Sequence, residues 1–161
     1  TLPITNGTIF AYCLNNYWFT NYKAGQDGNF TFRFDLTSGK SFDPQSACVF
    51  GEAAVQPMRS IRLHPGRGKK GLPASASFCQ VGPANVMLTA FKDADDGRGV
   101  IIRLRETAGK DTTAVVKTVL PDAKKAVLCD LVERDQGPAE FSNGELKVPV
   151  KADSMAAVRI E

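Results

Sequence analysis

The chain has 161 residues with 20 basic and 17 acidic side chains, a net charge of +3. Hydrophobic residues make up 43% and charged residues 23%, which excludes a disordered chain and suits one globular domain able to bury about 70% of its unfolded surface. The charge is too mild to imply a nucleic-acid partner, and the apolar runs are too short to span a bilayer as a helix.

The chain opens on Thr1, and no charged and apolar leader pattern follows. Glu161 follows directly on a strand-like run. Both ends are those expected of a piece processed or cut from a larger protein, with residues 1–161 forming a single domain at its C-terminal end.

In chain order, residues 8–14 read as a strand. A long connection over 15–29 follows, and connections of that length are usually functional or interfacial. It carries Asn15, Asn16, Tyr17, Trp18, Phe19, Thr20, Asn21, Tyr22 and Lys23, with the only Trp of the chain. Aromatic faces beside short amides suit sugars, since rings take the apolar C–H faces and amides bond the hydroxyls. A core aromatic cluster with turn asparagines is the competing reading. Residues 30–36 form a clearer strand pattern, with Phe30, Phe32 and Phe34 on one face and Thr31, Arg33 and Asp35 on the other. Residues 61–73 hold Arg62, His64, Arg67, Lys69 and Lys70 among Gly and Pro, the composition of an exposed basic loop.

Period-two alternation dominates the second half. Val86, Leu88 and Ala90 share one face of a strand over 85–91. Val100, Ile102 and Leu104 oppose Ile101, Arg103 and Arg105. Residues 112–120 and 125–132 are further Val-rich strands. Leu146, Val148 and Val150 alternate with Lys147, Pro149 and Lys151; the Pro demotes that strand to an edge or a bulge. Val158 and Ile160 flank Arg159. Turn signals fall between these runs at 95–99, 108–111, 121–122 and 142–144. No amphipathic helix of ten or more residues stands out. The fold expected is all-β, an antiparallel sandwich, of which a galactose-mutarotase-like supersandwich is one form.

Chemistry is sparse. The single histidine, His64, lacks a nucleophile elbow or a cysteine signature to work with. One His is too few for an ordinary catalytic zinc site. Asp93, Asp95, Asp96, Asp111, Asp122 and Asp135 sit in turns, and nothing in the sequence pairs Glu106 with Glu133 as a glycosidase dyad. Cys13, Cys48, Cys79 and Cys129 form no CxxC pair and read as free thiols.

The segment 15–24, NNYWFTNYKA, resembles part of the C-terminal β region of glycoside hydrolase family 38 α-mannosidases. Later motifs agree in order: NVMLTAFK at 85–92, GVIIRLRET at 99–107, AVLCDLVE at 126–133 and AVRI at 157–160. The resemblance implies a parent that is a retaining glycoside hydrolase with two catalytic carboxylates and a divalent metal, commonly zinc, in an N-terminal catalytic domain. None of those residues has a counterpart in this chain. The implied role is a noncatalytic accessory β-domain that packs on the catalytic domain and helps shape it, with mannose-containing glycans met through the parent. Asn15, Asn16, Tyr17, Trp18, Thr20, Asn21 and Lys23 would form an interdomain or carbohydrate-facing surface. An independent carbohydrate-binding module, and a self-sufficient hydrolase or interaction protein of another class, are the alternatives.

Overall fold

The computed structural model describes residues 7–15, 21, 25–62, 73–120 and 123–161. The chain divides into two compact units, residues 1–37 and residues 38–161.

In the first unit, the strands expected over 8–14 and 30–36 do not form ladders. Phe30, Phe32 and Phe34 are about half exposed. Alternation specifies which side of a segment would be buried, but a strand also needs a neighbouring backbone to take its N–H and C=O groups. Among the described residues, 30–36 have no such neighbour. Arg33 and Asp35, two apart and so on one side, form an ion pair at 2.8 Å.

The second unit begins with a helix that the sequence reading missed, α1 (Pro44–Val55). Asp43 caps it: its carboxylate accepts from the Ser46 N–H at 3.0 Å and from the Ser46 hydroxyl. These bonds hold the Asp43 carboxyl below its ordinary range. Pro44 starts the helix, where its missing N–H costs nothing. No residue of α1 is buried. A search for an apolar stripe is blind to such a helix; only its Asp-Pro start betrays it.

Among the described residues nine strands follow: β1 (Cys79–Gly82), β2 (Val86–Asp93), β3 (Val100–Glu106), β4 (Thr112–Thr118), β5 (Ala126–Cys129), β6 (Asp135–Pro138), β7 (Glu140–Ser142), β8 (Glu145–Val150) and β9 (Met155–Ile160). They make two antiparallel sheets, ordered β1-β4-β8-β7 and β2-β3-β9-β5-β6. The all-β antiparallel sandwich expected from the alternation is therefore what the second unit forms. Ala114, Val116, Leu146, Val148 and Val150 of the first sheet meet Val86, Ile102, Leu104, Ala126, Val158 and Ile160 of the second in one core. All four cysteines are free thiols.

Three details refine the strand reading. Thr89 is an extra residue in β2: Leu88 pairs with Leu104, but Ala90 pairs with Arg103. This bulge flips the side-chain parity, so Ala90 lies on the outer face and not with Val86 and Leu88. Strand β8 is interior for its first half, but β7 pairs only with 145–147. Pro149 therefore falls where one side of β8 is open, and its missing N–H breaks no ladder. The run expected over 125–132 ends at Cys129, where Asp130 turns the chain by accepting the N–H groups of Val132 and Arg134.

The turn signals are realised. Asn143 (φ 50°) and Gly144 (φ 74°) join β7 to β8 as a two-residue hairpin with both dihedrals positive. Gly97 and Gly99 supply positive φ in the β2–β3 loop. A side-chain carbon at Gly99 would lie 2.1 Å from the Ile160 carbonyl oxygen, so only Gly lets that loop close onto β9.

Candidate functional site

Of the aromatic–amide residues singled out in the sequence, Asn15 and Asn21 are described and both are exposed. The Gln26 side-chain amide reaches the Asn15 carbonyl at 3.5 Å. Asn16, Tyr17, Trp18, Thr20 and Lys23 lie outside the described residues, as does His64.

Within the sandwich, polar chemistry concentrates in two places. The first is Glu106, at the end of β3. Its side chain is buried, yet five donors surround it. Oε1 accepts from Asn85 Nδ2 at 2.7 Å and the Ala108 N–H at 2.8 Å. Oε2 accepts from the N–H groups of Gly109 (2.9 Å), Lys110 (3.2 Å) and Asp153 (3.0 Å). Burial by itself raises a carboxyl pKa; here the donors led by Asn85 and Asp153 outweigh it and bring Glu106 to about 2. One carboxylate thus ties together the turns before β2, after β3 and before β9.

The second place is the outer face of the five-stranded sheet. Alternation puts Arg159 there, opposite Val158 and Ile160, and the expectation for such a position is exposure. Instead the side chain is fully buried. It donates to Asp96 Oδ1 (2.7 Å), Asp135 Oδ1 (3.2 Å), the Arg98 carbonyl (2.9 Å) and the Glu133 carbonyl (2.7 Å). The β2–β3 loop and the β5–β6 turn fold over the sheet to make these bonds. Arg98 bridges the same two carboxylates, at 2.9 Å to Asp96 and 3.2 Å to Asp135. The Arg98 N–H, with the two guanidinium groups, holds Asp96 at about 2. For Asp135, burial pushes upward, but Arg98 and Arg159 win and the carboxyl sits low.

Glu133 completes the layer. It has a positive φ of 67° at the turn and a buried side chain. It accepts from the Asp95 N–H at 2.8 Å, Lys92 at 2.7 Å and Arg103 at 3.1 Å. The Asp95 N–H first, then Lys92, hold its carboxyl low.

These arrangements decide what the described residues can do chemically. A general acid near neutral pH needs a carboxyl raised by burial or by a like charge. Asp43, Asp95, Asp96, Glu106, Asp111, Glu133 and Asp135 are all displaced the other way. Asp43 caps a helix and Asp95 pairs with the nearby Lys92, while Asp96, Glu106, Asp111, Glu133 and Asp135 tie separate segments together through cations and backbone donors. Among the described residues, no three His, Cys, Asp or Glu side chains stand together as a metal-ligand set. They do not fit the divalent metal that the family resemblance implies for the parent.

The outer face of the four-stranded sheet is open by contrast. Lys117 faces Glu145 and Lys147 faces Glu140 in register, with ion pairs at 3.5 and 2.7 Å. A shallow concavity of about 290 Å³ is lined by Glu140, Ser142, Asn143, Glu145 and Lys147. Its lining holds no aromatic ring on which a sugar could stack.

Sequence reasoning noted Glu106 and Glu133 but could not pair them, and it passed over Arg159. The available signal for Arg159 was one charge inside an otherwise apolar closing strand. Its carboxylate partners are Asp96 and Asp135, whose distance along the chain hid the pairing.

Among the described residues, no helix is long and apolar enough to cross a membrane. Residues 85–153 match the family model described as the glycosyl hydrolases family 38 C-terminal beta sandwich domain. That span runs from one Glu106 donor, Asn85, to another, Asp153. No curated protein matches the chain.

Proposed function

Starting from residues 85–153 as a C-terminal β-sandwich domain of glycosyl hydrolase family 38, we propose that this chain is the noncatalytic accessory part of an α-mannosidase-like enzyme. It packs on the N-terminal catalytic domain of the same protein and helps shape it. The family match carries this reading. Two features support it: the buried carboxylates Glu106 and Glu133 are committed to holding turns, and the chain has a single histidine. The catalytic carboxylates and the zinc implied by the resemblance then belong to the catalytic domain. Mannose-containing glycans are met through that domain, and residues 15–23 lie at the interdomain face.

The reading is tested by assaying the purified chain with an aryl α-mannoside and by titrating it with mannose oligosaccharides. The expected result is a folded protein with neither turnover nor saturable binding. Turnover by the chain alone overturns the proposal. Saturable glycan binding that disappears in Trp18→Ala, with stability unchanged, replaces it with an independent carbohydrate-binding module. Acrylamide quenching of Trp18, the only Trp, gives a quick companion reading, since a sugar platform requires that ring to be exposed.

A further inference from the structure

We draw no further inference here: the strongest candidate, the exposed surface patch of Phe30, Phe32, Phe34 and Leu36 in the first unit, carries nothing because nothing in the structure shows what covers it.

Discussion

Arg159 and Glu106 show one rule from opposite signs. A buried charge is tolerated when its bonding capacity is filled, and it becomes a liability when a partner is removed. Arg159→Ala leaves Asp96 and Asp135 with Arg98 as their shared cation and deprives the Arg98 and Glu133 carbonyls of their guanidinium donor. We expect a loss of about 2–3 kcal/mol in urea unfolding, moderated because both carboxylates keep partial access to water. A change comparable to that of a surface ion pair, such as Lys147→Ala, would contradict this account of the layer. Glu106 makes a pH prediction. Its carboxyl lies at about 2 when folded, against 4.5 as the ordinary value. The unfolded chain therefore binds the proton more readily, so stability rises with pH across this interval. The Glu106 contribution is complete above about pH 5 and fades as the pH falls toward 2. In Glu106→Gln the shape persists, but an amide NH2 replaces one acceptor among five donors. Melting temperature measured from pH 2 to 7 should be lower near neutrality and its rise over pH 2–5 shallower than in the parent chain.

At the scale of elements, the β2–β3 loop and the β5–β6 turn are tied to β9 through Arg159. The β2–β3 loop illustrates two different demands for glycine. Gly97 (φ 76°) has open space where a side chain would point, whereas Gly99 (φ 75°) meets the Ile160 carbonyl. Gly97→Ala should cost only the left-handed backbone penalty, about 1–2 kcal/mol. Gly99→Ala adds a backbone clash to that penalty, and it should lower the unfolding midpoint well beyond Gly97→Ala. Equal effects would mean that the loop does not close onto β9 as described. The Thr89 bulge belongs to this scale too. It turns Ala90 outward and leaves Phe91 opposite Ile102, a change of face that strict alternation does not encode.

For the whole molecule, the decisive fact is where the core sits. The buried cluster and the side chains packed on it come from residues 79 to 160. Residues 38–161 made alone should therefore unfold cooperatively, with a midpoint close to that of the full chain. Within that core, Ile102→Ala should cost about 2–5 kcal/mol, because it removes a fully buried side chain between the two sheets. Phe32→Ala in the first unit should change stability by less than about 0.5 kcal/mol, since its ring is already half exposed. If the two substitutions cost the same, the core extends further than the sandwich.

The sequence by itself determined the class of the fold, because period-two alternation and turn chemistry are local. The alternation over 100–105 and 158–160 and the turn signal at 142–144 are legible in the residues, and they fall in β3, in β9 and at the β7–β8 turn. Motif order likewise pointed to the family. Tertiary structure decided everything that depends on distant partners. It withheld ladders from residues 8–14 and 30–36, since a strand needs a neighbour as well as a pattern. It left α1 with no buried face, which no apolar periodicity could announce. It also put Arg159 under two loops that supply Asp96 and Asp135, 63 and 24 residues away. A charge on an apolar strand reads as solvent-facing until something folds over it, and what folds over it is set by the packing of the whole chain.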